Sequence, residues 1–221
     1  MSTRPQHRLP AMRIKSQWFK SDGPKSAEQQ ASAMAFIVWR TALNMLKRMR
    51  GADFDVDAGT PYFAFMREVL VFLIAVVDRI AYLRMIDAER VAFTTAMVRH
   101  CADTLADNEN DLLGPRADGQ SSQDSFIDLV NEVVNHYAEF GADSAIVEPD
   151  ASFTPSFGFM RYLGSRLAPT LPAKDQHWVL DQVMASEAPR SRRGGAKRDA
   201  QPVVDRAAQG PAHWREWGLR R

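Results

Sequence analysis

Cysteine is nearly absent from this chain, which contains a single one, Cys101. One cysteine excludes an internal disulfide, so the sequence does not fit a small secreted domain held together by disulfide bonds. The first residues, MSTRPQHRLPAMRIK, also lack the apolar run of about 7 to 15 residues that a secretory signal requires. We therefore expect a cytoplasmic protein.

Apolar runs of membrane-spanning length are lacking as well. A spanning helix needs about 20 mostly apolar residues, whereas the nine apolar residues of 69–77 are followed directly by charged side chains. On a helical wheel the charges of this region share about one third of the circumference; they are Arg67, Glu68, Asp78 and Arg79. We predict a central helix of a soluble bundle with one solvated polar strip, in which Asp78 and Arg79 have their partners in solvent or on a second helix. A buried ionic switch is the less favoured alternative.

Strand patterns are also missing, since no segment combines a period of two with β-branched enrichment. Helix signals recur instead, beginning with a capping box formed by Ser26 and Gln29. Capping residues, prolines and glycines predict six helices: Ser26 to Arg50, one from Thr60-Pro61, Asp87 to about Asp107, near Ser122 to Phe140, one from Thr154-Pro155 to Pro169, and Pro172 to Ala188. The predicted fold is all-α, an irregular bundle of about six helices.

Three of these helices carry more specific expectations. The third has a predicted core stripe of Val91, Thr94, Val98, Cys101 and Leu105. The fourth combines an apolar face, Phe126, Val130, Val133, Tyr137 and Phe140, with an opposite acidic strip, Asp128, Glu132, Asn135 and Glu139. In the fifth, Gly158 and Gly164 are predicted to let another backbone approach closely.

Acidic residues are scarce at both ends of the chain. Residues 1–25 contain six basic residues and one acid, and residues 189–221 contain nine basic residues and three acids, so the middle of the chain carries the acidic excess. The Arg, Gly, Ala, Pro and Gln composition after residue 189 is typical of a solvated linker. We predict a flexible arm over residues 1–25, one helical domain over 26–188 and a disordered tail over 189–221.

Aromatic residues return at the end of that tail, where Trp214 and Trp217 would share one face of a helical turn. Tryptophan and arginine dominate binding hot spots, and a linker raises the effective concentration of a tethered peptide. We predict a non-enzymatic protein-protein interaction module, an adaptor, assembly factor or regulator, whose partner-binding residues are Trp214, Arg215, Trp217, Leu219 and Arg220. The acidic fourth helix would be a second contact area. Alternatively, the basic ends lie across the acidic surface of their own chain.

Common catalytic motifs are absent. The chain has neither a G-x-S-x-G elbow nor a phosphate-binding loop, and no glutamate stands three residues before His100 or His136, as a di-iron bundle would require. We predict no cofactor and no catalytic residues. Glu132, His136 and Glu139 are weak candidates for a mononuclear metal site, although a surface His-Glu pair is the preferred interpretation. The rival hypothesis is an enzyme or cofactor carrier with a pocket among helices two to five, lined by these three residues and His100.

Two further alternatives concern the partner. The basic ends interleave cations with aromatic residues, as segments that bind nucleic acid do. These aromatic residues are Trp18, Phe19, Trp214 and Trp217. The acidic middle of the chain would repel phosphate, which opposes that alternative. Apolar residues of the first helix, Ile37, Val38 and Trp39, belong either to a homodimer interface or to the core.

Overall fold

The computed structural model describes residues 25–116, 119–140 and 153–187. These ranges contain seven helices: α1 (Ala27–Gly51), α2 (Thr60–Tyr82), α3 (Asp87–Leu113), α4 (Ser122–Glu139), α5 (Phe157–Leu167), α6 (Ala173–Gln176) and α7 (Val179–Glu187). The predicted all-α bundle is confirmed, since the described residues include no strand. The predicted arm before Lys25 and the predicted tail lie outside the described residues.

The α2 helix is the centre of the bundle and packs against α1, α3, α4 and α5. All nine residues of its apolar run, Val69–Val77, are buried. A helical run that is apolar on every side, as this one is between the charged residues at its two ends, is typical of a segment enclosed by other helices. No helix among the described residues is long and apolar enough to cross a membrane.

The start of α1 matches the predicted capping box. The Ser26 hydroxyl accepts a hydrogen bond from the Gln29 amide at 3.2 Å, and the Gln29 side chain accepts one from the Ser26 amide at 3.1 Å. Further along the helix, Val38 and Trp39 are buried and Ile37 packs against the core. Of the two alternatives for this apolar face, a homodimer interface or the core, the structure places these three residues in or against the core.

Two helix boundaries differ from the prediction. The Thr60-Pro61 pair predicts Thr60 as the N-cap of α2, but Thr60 is the first residue of the helix because Gly59 occupies the cap position at a φ of 108°. The third helix continues beyond Asp107 to Leu113, where Gly114 ends it at a φ of 78°. The added turns are stabilised by Glu109, a buried residue that forms an ion pair with α2.

The C-terminal part of the bundle is more broken than predicted. The α5 helix begins at Phe157 rather than at Thr154, because the Ser156 hydroxyl caps the Phe159 amide at 3.2 Å. It ends at Leu167, before Pro169, and a 3-10 turn over Ala168–Thr170 follows. The predicted sixth helix is two helices, since a tight turn at His177 and Trp178 separates α6 from α7.

The predicted core stripe of α3 is only partly correct. Cys101 and Leu105 are buried, but the Val91 side chain is 58% exposed. The buried face of α3 instead contains Phe93, Met97, Cys101, Ala102, Leu105 and Glu109. Both faces of α4 match the prediction, since its apolar face turns inward while Asp128, Glu132, Asn135 and Glu139 are exposed. The one exception is Phe140, which is half-buried.

Glycines allow close packing around α5, as predicted. A Cβ atom added at Gly164 would lie 3.3 Å from the Leu180 Cα, so α7 approaches α5 at the backbone level. At Gly158 the added atom would meet the ring of Phe140 at 2.9 Å, so the close neighbour there is a side chain. These two contacts hold α5 between α4 and α7.

Candidate interaction surface on α4 and α5

The polar strip of α2 is not solvated as predicted, because its charges are paired with other helices. Arg67 Nη2 donates to Glu109 Oε2 of α3 at 2.7 Å, and the two side chains are 12% and 10% exposed. Glu68 accepts two hydrogen bonds from Arg166 of α5, from Nε at 2.8 Å and from Nη2 at 2.7 Å. A bidentate pair of this kind fixes orientation as well as distance.

The other end of the strip is paired in the same way. Asp78 accepts hydrogen bonds from Arg90 at 3.3 Å and from the Thr94 hydroxyl at 3.1 Å, both on α3. Arg79 Nη2 donates to the carbonyl oxygen of Ala138 on α4 at 2.6 Å. The strip therefore connects the central helix to α3, α4 and α5.

Tyr162 is the residue on which α4 and α5 converge. Its ring centroid lies 4.9 Å from that of Tyr137, 5.6 Å from that of Phe140 and 5.8 Å from that of His136, all on α4 or at its end. Tyr162 stands one helical turn before Arg166, whose pair with Glu68 anchors α5 to α2. The ring is half-buried, so part of it is open to solvent.

Nearby charges act on the Tyr162 hydroxyl. Partial burial raises the pKa of Tyr162; Arg166 opposes that rise, while Glu68, Glu132 and Glu139 add to it. Glu132, His136 and Glu139 are exposed and follow one another at helical spacings of four and three residues, so they share one face of α4. We call Glu132, His136, Glu139, Phe140 and Tyr162 the α4–α5 surface.

Beneath this surface, the Tyr137 hydroxyl is buried and has no hydrogen-bond partner among the described residues. Burial raises its pKa above the ordinary value, and the Glu68 carboxylate and Tyr162 raise it further, although Arg166 opposes them. The folded protein therefore holds the Tyr137 proton more tightly than the unfolded chain does. Ionisation of Tyr137 therefore does not affect stability below the ordinary tyrosine pKa of about 10, whereas above that value the unfolded chain loses the proton first and the free energy of unfolding falls as the pH rises.

We expect Tyr137→Phe to make unfolding less sensitive to alkaline pH. At pH 7 the variant should be as stable as the parent or more stable by up to about 1 kcal/mol, because a buried hydroxyl without a partner is removed. Urea midpoints measured from pH 7 to 11 test this, with Tyr82→Phe as control because Tyr82 is 56% exposed. If the urea midpoint fell equally steeply with alkaline pH in the parent, Tyr137→Phe and Tyr82→Phe, the raised pKa of Tyr137 would be contradicted.

The histidine candidates lie at different places in the bundle. His100 Nε2 is 2.7 Å from Glu28 Oε1 of α1, whereas the His136 ring lies 5.8 Å from the Tyr162 ring of α5 at an interplanar angle of 46°. Cys101, next to His100, is buried, as predicted for a residue that faces inward. The residues that the enzyme hypothesis assigns to one pocket are thus divided between an α1–α3 contact and the α4–α5 surface.

Cys101 should be inert in the folded protein. Burial raises the pKa of its thiol to about 12, so at pH 8 only about one thiol in ten thousand is ionised, and the thiolate is the reactive species. We expect iodoacetamide to modify the native protein far more slowly than the urea-unfolded chain, as measured by mass spectrometry. Native labelling within a few-fold of the unfolded rate would contradict this.

No three His, Cys, Asp or Glu side chains of the described residues form a group that could hold a metal ion. The weak metal candidates, Glu132, His136 and Glu139, are exposed on one face of α4, where the His136 ring lies 5.8 Å from that of Tyr162. The sequence did not single out Tyr162, because no local spacing relates it to α4. The predicted partner-binding residues Trp214, Arg215, Trp217, Leu219 and Arg220 lie outside the described residues.

The chain was also compared with known proteins. No family model matches it, and neither the curated proteins nor the solved structures give a match.

Proposed function

We propose that this protein is a protein-protein interaction module that binds a partner through the α4–α5 surface together with its C-terminal Trp/Arg peptide. The observation that carries the proposal is the composition of that surface. The exposed carboxylates of Glu132 and Glu139 stand one helical turn to either side of His136, whose ring lies 5.8 Å from that of Tyr162. Acids beside aromatic faces favour a partner segment that carries arginine or lysine.

The rigidity of the surface supports the same proposal. Tyr162 is held from below by Tyr137, and α5 is fixed to α2 by the bidentate Arg166–Glu68 pair. A preorganised surface loses less conformational freedom when it binds, which raises affinity. The α4 helix carries four acids and neither lysine nor arginine, so its field attracts basic segments.

A quantitative pull-down tests the proposal, with recovered proteins identified by mass spectrometry. The baits are the full chain, a chain ending after Ala188, Glu132→Gln/Glu139→Gln, and the control Asp107→Asn/Asp111→Asn, which removes two exposed acids from α3. We expect a common set of partners to be lost or reduced several-fold with the first two variants and retained with the control. Equal recovery by all four baits would refute the proposal.

A further inference from the structure

The α4–α5 surface also has a candidate ligand within its own chain. We infer that the C-terminal peptide HWREWGLRR, residues 213–221, binds the α4–α5 surface of the same molecule. A partner that binds both the surface and the peptide would have to separate them, and this regulatory consequence rests on the proposed function. The binding itself does not depend on any partner.

Charge complementarity is the first argument for this ligand. The peptide contains Arg215, Arg220 and Arg221 against one acid, Glu216. On the surface, the exposed carboxylates of Glu132 and Glu139 lie one helical turn to either side of His136. Arginine at such a surface gains both carboxylate contacts and a cation-π contact with an aromatic face.

The aromatic residues supply the second argument. Trp214 and Trp217 are three residues apart and would share one face of a helical turn. The surface offers the half-buried rings of Tyr162 and Phe140, 5.6 Å apart, with the exposed His136 beside them. Aromatic pairs add to the free energy gained from buried area, so two tryptophans fit this surface better than a purely cationic segment does.

The length of the chain permits the contact. The helix before the tail, α7, packs against α5 through Leu180 at Gly164, so residue 188 follows a helix adjacent to the surface. Residues 188–213 span at most about 90 Å when fully extended. A domain of about 150 residues has a radius of gyration near 15 Å. Tethering also raises the effective concentration of the peptide, so weak contacts suffice for occupancy.

Site-specific photo-crosslinking in the full chain tests the inference. Trp217 is replaced by p-benzoylphenylalanine, and after irradiation the cross-linked peptides are mapped by mass spectrometry. We expect cross-links within one chain to peptides that contain residues 132–140 and 157–166. The yield should fall several-fold in Glu132→Gln/Glu139→Gln and stay unchanged in Asp107→Asn/Asp111→Asn.

The same photoreactive residue at Val203 controls for proximity, since this position lies on the same tail but outside the peptide 213–221, and its cross-links should not concentrate on residues 132–140 and 157–166. Mixing of isotope-labelled and unlabelled protein separates contacts within a chain from contacts between chains. The inference would be overturned by cross-links that spread over the whole domain, by a yield that does not change in Glu132→Gln/Glu139→Gln, or by cross-links that form only between chains. A positive result with no partner recovered in the pull-down would leave cis binding standing and refute the proposed function alone.

Discussion

Glu109→Ala is expected to lower the free energy of unfolding by about 3–5 kcal/mol, the range for removing one member of a buried ion pair. Glu109 and Arg67 are the most buried of the ion pairs formed by the described residues, at 10% and 12% exposure. Without Glu109, the Arg67 guanidinium stays between α2 and α3 with no carboxylate partner and little water to offset its charge. Urea unfolding followed by circular dichroism measures the change.

A double variant separates the lost ion pair from lost packing. Arg67→Met/Glu109→Leu should recover most of the stability, because well-packed apolar residues can replace a buried pair without leaving a lone charge. Lys174→Ala is the control, since Lys174 and its ion-pair partner Asp55 are 66% and 49% exposed. The urea midpoint of this variant should not differ measurably from that of the parent. If the double variant is no more stable than Glu109→Ala, the unpaired charge is not the cause.

Local signals predicted the helices that depend on local interactions. The Ser26 and Gln29 side chains cap α1 through contacts three residues apart, and the apolar run of α2 is buried as its composition requires. The end of α3 could not be predicted in this way. Its last turns are stabilised by the contact of Glu109 with Arg67, which is 42 residues away in the chain.

The same limit explains why the polar strip of α2 was wrongly assigned to solvent. A helical wheel places Glu68 and Asp78 on one side of the helix, but it carries no information about which residues of other helices face them. Arg166, the partner of Glu68, is 98 residues away. The turn between α6 and α7 was also missed; there the Trp178 amide donates to the carbonyl oxygen of Asp175 at 3.1 Å.

The sequence predicted the α4 residues of the candidate surface but not its α5 residue, Tyr162. The spacing of Glu132, His136 and Glu139 places them on one face of α4, and the structure confirms that they are exposed there. Tyr162 joins them only because α5 packs beside α4, which brings its ring 5.8 Å from that of His136. Metal ligands and a surface for a basic aromatic peptide draw on the same residue types, so the sequence alone does not distinguish the two functions.

The aromatic cluster under the surface leads to the second large expected effect. Phe72 of α2 is 2% exposed, and its ring centroid lies 5.5 Å from that of Phe159 and 6.0 Å from that of Tyr137. Phe72→Ala should lower the free energy of unfolding by about 3–5 kcal/mol, since it removes buried apolar atoms and leaves a cavity. Chemical denaturation measured by fluorescence and by circular dichroism tests this value.

The matched control is Phe157→Ala, the same truncation at a side chain that is 61% exposed. It should change the free energy of unfolding by less than about 0.5 kcal/mol, as surface substitutions usually do. Should Phe72→Ala fail to fold, Phe72→Leu provides a milder test, because the smaller cavity predicts a smaller loss in the same direction. Similar losses for Phe72→Ala and Phe157→Ala would contradict the central position of Phe72, and with it the packing that holds Tyr137 and Tyr162 in place.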